Sequence, residues 1–291
     1  MTLNDVYKIA DEIAPKALSD ALCSKYGMYD NSGVLVDTGK SVDGILFALD
    51  FSLGAIAAAI KAKRRLIVTH HPAIYGKIGN LVGGESSHGV RDVLGTGGKL
   101  IQAIENGISV LSMHLNLDCA DGGIDESLMR GAMLSAARAN GRAAGEDTFA
   151  DAKEEKRMLT VETNGVSGGY GRIYDVENCG LFAFCEELKK TFSARQVCVY
   201  GNRNAKVSRV ASFCGAGADE EALAFACGYG ADTVISSDFK HHVVAAAREK
   251  NKSVIILTHY ASENYGFEKY YQKIRKRSEV PCEFYTDEEL L

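Results

Sequence analysis

Two short histidine–carboxylate pairs stand far apart in this chain in matching surroundings. Ser109-Val110-Leu111-Ser112-Met113 leads into His114, with Asp118 four residues on. Val254-Ile255-Ile256-Leu257-Thr258 leads into His259, with Glu263 four residues on. Each is an apolar run that ends in a histidine. A doubled pair of this kind at strand ends is what a chain needs to build one metal site from two halves.

A third histidine motif, Thr69-His70-His71-Pro72, closes another apolar run. In extended chain, neighbouring side chains point to opposite sides, so both rings reach one bimetal centre only if the backbone bends there. Pro72 restricts His71 to extended or turn geometry and favours a sharp strand end. His70 and His71 would then offer nitrogens to two adjacent ions, and Asp118 would bridge them. His259 and Glu263 would supply a terminal ligand on each. This N/O donor set suits two divalent ions of zinc, iron, manganese or cobalt. Two such ions ~3.5–4 Å apart activate a bridging water and polarise a substrate oxygen.

Plainer readings compete. A lone buried histidine is more often a satisfied core residue than a ligand. Asp118 shares its neighbourhood with Asp121 and Asp125, and any of the three could cap the helix expected over Ile124–Ala137. Gly215-Ala216-Gly217 follows a strand as a dinucleotide loop would, but Glu220 stands where a third glycine is required. A tight strand-to-helix turn explains it better. His88 lies apart from the other six histidines, in a glycine-rich loop, and no chemistry is expected of it.

The elements that must position these residues read as strand and helix in alternation. Helices are expected in residues 1–25, then strands at Val34–Val36, Gly44–Asp50 and Arg65–Val68, with an Ala-rich helix, Leu53–Ala62, between the last two. The pattern continues with a helix over Lys99–Glu105 and the strand into His114. It recurs as the helix Leu181–Phe192 and strands Val197–Tyr200 and Arg209–Cys214. The helix Asp219–Gly228, strand Asp232–Ile235, helix His242–Lys250 and strand Val254–Leu257 follow. Short, uniformly apolar strands alternating with helices imply α/β sheets that are mostly parallel. Ile45–His71 maps onto Val210–Asp238, and Val110–Asp118 onto Ile255–Glu263, which implies two similar α/β domains, 1–138 and 180–291. Residues 139–179 are small, charged and glycine-rich and read as a connector with possible edge strands such as Met158–Glu162. In open α/β sheets ligands bind at the carboxyl ends of strands, where His70, His71, His114, His241, His242 and His259 fall.

Composition sets outer limits. The 291 residues are 46% hydrophobic and 24% charged, in the globular range. The net charge of −5 argues against nucleic acid as partner, since phosphate binding needs a basic surface. The eight cysteines form no CxxC pair and the first residues lack a signal peptide's pattern. A reducing cytoplasm is the expectation. No apolar run approaches the ~18 residues of a membrane span.

Taken in order, five segments resemble one family. They are Asp30-Asn31-Ser32-Gly33-Val34-Leu35-Val36, Ile67-Val68-Thr69-His70-His71-Pro72, His114-Leu115-Asn116-Leu117-Asp118, Ser237-Asp238-Phe239-Lys240-His241-His242 and His259-Tyr260-Ala261-Ser262-Glu263. The chain resembles the GTP cyclohydrolase I type 2-like proteins, also called the Nif-three-like dinuclear metal-binding family, over about residues 26–277. The resemblance implies two α/β domains related by a pseudo-twofold with the metal site in the cleft between them, and a hexameric ring. It implies His70, His71, Asp118, His259 and Glu263 as metal ligands, with His114, Asn116, Asp238 and His242 on the substrate side or behind the ligands. Many relatives have Trp where Tyr29 stands, and glycine where Ser237 stands. A five-ligand bimetal set with room for water fits a metal-dependent hydrolase of a nucleotide-like or phosphorylated small molecule; the acidic balance and the lack of a nucleophile motif fit a non-catalytic metal scaffold, chaperone or regulatory ring.

Overall fold

A computed structural model describes residues 1–78, 81 and 95–291. His88 and most of the glycine-rich run around it lie outside the described residues. The chain divides into two compact units. The first comprises Met1–Ala120, Glu162–Val166 and Phe267–Asp287, and the second Asp121–Val161, Ser167–Gly266 and Glu288–Leu291.

The first unit opens with two helices, α1 (Leu3–Ile13) and α2 (Lys16–Tyr26), separated at Pro15. Thr2 and Asp5 close a reciprocal capping box at the start of α1. Its sheet contains β1 (Gly33–Val36), β2 (Ile45–Ala48), β3 (Leu66–Thr69), β4 (Ser109–Ser112) and β11 (Cys282–Tyr285). The order across the sheet is β1-β4-β3-β2-β11. All neighbours run parallel except β1 against β4. Strands β2, β3 and β4 are buried at every position, because both faces are covered. Leu46, Ile67 and Val110 pack with Ala55, Ile56 and Ala59 of α3 (Leu53–Ala62) and Leu100 and Ala103 of α4 (Thr96–Glu105). On β2 the alternation sends Phe47 the other way, onto Phe267 and Tyr271. Those two residues belong to the later part of α10 (His259–Arg275). The short strand β11 was not anticipated; it is a partly buried edge with no strong apolar period.

The sheet of the second unit has the order β5-β6-β8-β9-β10-β7. Strands β8 (Lys206–Ser212), β9 (Thr233–Ser236) and β10 (Ser253–Leu257) are parallel neighbours. Strand β7 (Val197–Tyr200) pairs antiparallel with β10, and β6 (Val166–Gly180) antiparallel with β8. This sheet is therefore mixed rather than mostly parallel. Helices α8 (Glu220–Gly228) and α9 (His241–Glu249) supply Ala222, Ala226, Val243 and Ala247 to its apolar clusters. Helices α6 (Ile124–Ala139) and α7 (Leu181–Thr191) pack together and both touch β8.

The stretch read as connector contains the most unexpected element. Beyond the anticipated edge strand, β5 (Lys156–Thr163), it holds the 15-residue β6. Its glycines are permissive for close approach, not for disorder. A Cβ at Gly169 would lie 2.5 Å from the Leu159 carbonyl, and one at Gly171 would meet the Phe213 ring. The internal repeat is real in topology: β2-α3-β3-α4-β4 and β8-α8-β9-α9-β10 each form three adjacent parallel strands in one spatial order.

Candidate functional site

In the first unit, His70 and His71 follow β3. Their two backbone amides both donate to the Leu49 carbonyl, at 3.1 and 3.0 Å. Extended chain cannot aim two successive amides at one acceptor, so the backbone turns here, as Pro72 led us to expect. The imidazole rings consequently lie side by side, with centroids 4.9 Å apart. Thr69 donates through Oγ1 to the His71 carbonyl and pairs with Ser112 Oγ, which ties the turn to β4.

The strand β4 ends at Met113 and His114, and a one-turn helix, α5 (Leu115–Cys119), follows. The amides of Leu117 and Asp118 donate to the His114 carbonyl at 2.8 and 2.9 Å. That turn carries Asp118 back beneath the histidines; Asp118 Oδ1 is 3.5 Å from His70 Nε2. His70, His114 and Asp118 each present a donor atom within 4.8 Å of the others. His114 thus joins the donor cluster itself, a position the sequence did not assign to it. Asp118 caps no helix: Gly123 occupies the N-cap of α6. Asn116 serves another purpose, donating 2.6 Å to the Ala14 carbonyl and so fixing the turn between α1 and α2.

Each of these rings is held from behind through Nδ1. His70 meets the Met113 carbonyl at 2.8 Å, His71 meets Asp50 at 2.7 Å and His114 meets Asp30 at 2.8 Å. An oxygen at Nδ1 selects the Nδ1–H tautomer and leaves Nε2 as the ring's electron-pair donor. Burial alone would lower the pKa of His114. The Asp30 hydrogen bond and the charges of Asp118 and Asp30 outweigh it, so the net shift is upward. Asp30 moves the opposite way: burial would raise it, but bonds from His114 and Ser32 hold it well below the usual carboxylate range. Neither Asp50 nor Asp30 was singled out from sequence as a histidine partner. Their only signal was a polar residue at the end of β2 and a polar turn before β1.

The second unit repeats the arrangement with fewer groups. His259 begins α10, and the i, i+4 spacing of a helix brings Glu263 Oε2 to 3.0 Å from its Nε2. Asp238, in the loop after β9, accepts from His259 Nδ1 at 2.7 Å. His259 therefore has a carboxylate oxygen close to each ring nitrogen. Glu263 is buried and Asp238 is mostly exposed.

The loop after β8 completes this cluster. Gly215 has φ +55°, and a Cβ there would lie 2.3 Å from Glu263 Oε1 and 3.4 Å from His259 Nε2. Its carbonyl accepts from Ser236 Oγ, Ser237 N and Asp238 N at 3.0–3.3 Å. The glycine is thus a point of close approach, and the turn reading of Gly215-Ala216-Gly217 holds. Ser237 bonds through Oγ to Ser262 at 2.8 Å, tying this loop to the first turn of α10. Cys214, buried, has its sulfur within 4.8 Å of a Glu263 carboxylate oxygen. The sequence reading allowed for no thiolate here. His242 pairs with Glu220 at 2.5 Å on an exposed surface and takes no part in the His259 contacts.

Behind this loop lies a fully buried ion pair. Arg172, on β6, donates to Asp125 at 2.9 Å and to Glu154 at 2.7 Å. Asp125 also accepts from the amides of Gly171 and Cys214 at 3.0 and 3.1 Å. Burial pushes the Asp125 carboxyl up to about 6 against the pull of Arg172 and those amides. The pair anchors the loop at Cys214, one residue before Gly215. Asp125 had been considered only as a helix cap.

The donor chemistry fits divalent transition metals: neutral imidazole Nε2 atoms and carboxylates, each oriented by a second hydrogen bond. The chain belongs to the Duf34/NIF3 (NGG1p interacting factor 3) family, whose model matches residues 1–289. The family resemblance carried by the five segments is borne out. A Clostridium acetobutylicum relative named GTP cyclohydrolase 1 type 2 homolog is 28% identical, covering 90% of this chain and 85% of its own. A Clostridium perfringens relative of the same name is 25% identical, covering 99% and 97%. Among solved structures, a Staphylococcus aureus hypothetical protein superposes with TM-score 0.74 at 20% identity, covering 99% of this chain and 97% of its own. A Bacillus cereus protein related to NIF3 gives 0.73 at 18% identity, covering 97% and 96%. These structures share the two-domain fold. No helix among the described residues is long and apolar enough to cross a membrane.

Proposed function

We propose that the protein is a dinuclear metal-binding protein that hydrolyses a nucleotide-like or phosphorylated small molecule. In this reading His70, His71 and Asp118 in one unit and His259 and Glu263 in the other hold two divalent ions between them. The observation that carries it is the shared construction of the clusters. His70, His71, His114 and His259 are all fixed through Nδ1 by an oxygen, which readies Nε2 for a cation. A bound pair of ions supplies an activated water and a polarised substrate oxygen. The chain's own residues do the rest: Asp50 and Asp238 orient ligands, and Asp30 orients the His114 ring beside them. The relatives' name, GTP cyclohydrolase 1 type 2 homolog, supports a nucleotide-like substrate class. A homo-oligomer, six chains in a ring by family resemblance, belongs to the same proposal.

The test is hydrolysis by protein reconstituted separately with zinc, manganese, iron or cobalt, against nucleotides, phosphate esters and cyclic amides. Turnover that vanishes in His259→Ala supports the reading. Full metal loading with no turnover on any class favours the non-catalytic scaffold instead.

A further inference from the structure

Beside the histidine cluster of the first unit stand two tyrosine rings that no metal chemistry requires. Tyr29 is 56% exposed and Tyr75 62% exposed, among the most exposed large side chains of the described residues. They are in contact, with centroids 5.3 Å apart and planes at 78°. The Tyr75 ring also meets the His114 ring, at 6.1 Å and 80°. His114 in turn lies 5.3 Å from His70 and 6.0 Å from His71. A run of aromatic rings thus leads from open surface to the metal donors.

The platform is built, not incidental. Asn31 donates through its side chain to the Ile74 carbonyl at 2.7 Å, clamping the loop that carries Tyr75 to the one that carries Tyr29. Asp30 holds the His114 ring and accepts from Ser32 Oγ at 2.6 Å, while Ser32 Oγ receives the His114 amide at 3.0 Å. Four successive residues, Tyr29 to Ser32, therefore join the ring pair to the histidine cluster. Two edge-to-face rings with open outer faces form a corner. A flat ring can stack on one of them while its edge meets the other. Rings already held in place lose little conformational freedom on binding, which favours affinity.

We propose that Tyr29 and Tyr75 form a stacking platform for a planar heteroaromatic ring, so that the substrate class is a small molecule with a nucleobase-like ring. This deepens the proposed function and rests on it for the word substrate; ring binding itself does not need the metal. Stacking is sequence-tolerant, since every base has a π face, so the platform selects for flatness and not for one base.

The experiment titrates GMP, AMP and ribose 5-phosphate into the full chain, with and without prior chelation, by calorimetry and saturation-transfer NMR. Metal content is measured on the same samples. The expected result is that both nucleotides bind at least about tenfold more tightly than ribose 5-phosphate, with the strongest saturation on the base protons. Tyr75→Ala should weaken nucleotide binding by about tenfold and leave ribose 5-phosphate and metal content unchanged. Tyr29→Trp, which enlarges the π face, should keep or tighten it. Equal binding of GMP and ribose 5-phosphate, or nucleotide affinity unmoved in both Tyr29→Ala and Tyr75→Ala, overturns the platform. Ring-selective binding by a chain that takes up no metal would keep the platform and sink the dinuclear reading; metal uptake without ring selectivity would do the reverse.

Discussion

The two histidine clusters solve the same problem with different means. In the first unit three rings and Asp118 sit at the ends of β3 and β4, and His70 is fully buried. Its anchor is a backbone carbonyl, which no substitution at that residue's side chain removes. In the second unit one ring and Glu263 sit at the start of α10. Its anchor, Asp238, is 57% exposed, and its geometry depends on a glycine loop braced by a buried ion pair. His71 and His114 are held by Asp50 and Asp30, both less exposed than Asp238. A better shielded carboxylate holds its ring more firmly, so the first unit depends more on its anchors.

That contrast can be broken at its weakest brace first. Arg172→Ala leaves the fully buried Asp125 without its cation, while Glu154 keeps Arg157, and breaking such a buried pair costs about 3–5 kcal/mol. Urea denaturation of metal-free protein should show that loss. An effect under about 1 kcal/mol would mean the ion pair does not brace the loop. Next in size, Asp118→Ala should abolish most metal uptake, by more than the roughly 10–100-fold that loss of an outer partner costs. His242→Ala should leave uptake unchanged, because its ring partner is Glu220. Asp50→Asn and Asp238→Asn compare the two outer anchors directly. Each should weaken metal binding about 10–100-fold, with Asp50, the less exposed, nearer the upper figure. Reversed order in isothermal titration would undo the contrast drawn above.

The smallest effect is on pH dependence in the metal-free protein. Asp30 is lowered from 3.8 on folding, so its stabilisation is present above about that pH and fades as pH falls through its folded value. His114 is raised from 6.5, so its stabilisation is present below 6.5 and fades as pH rises through its folded value. The pair contributes fully between those limits. Wild type should therefore lose stability from pH 6 to pH 8 relative to His114→Ala; parallel curves would refute the ion pair.

Much of this was legible in the chain. The helix Leu53–Ala62 and the strand Val197–Tyr200 match at both ends, because a strong apolar pattern met clear turn signals. The bend at His70-His71 was readable because Pro72 constrains its predecessor. β6 was not, because its glycines signal turns when read locally, whereas here they admit Leu159 and Phe213 at close range. The partners Asp50, Asp30 and Cys214 were hidden for a different reason. Each is distant in sequence from the group it touches, and a single carboxylate or thiol has no spacing to betray it.

We propose that His70, His71 and Asp118 share one pair of ions with His259 and Glu263. The most direct test is electron paramagnetic resonance of the chain loaded with manganese, alongside elemental analysis. About two ions per chain, exchange-coupled as expected for a separation of ~3.5–4 Å, is the predicted result. Isolated, uncoupled manganese signals, or no uptake at all, would contradict it.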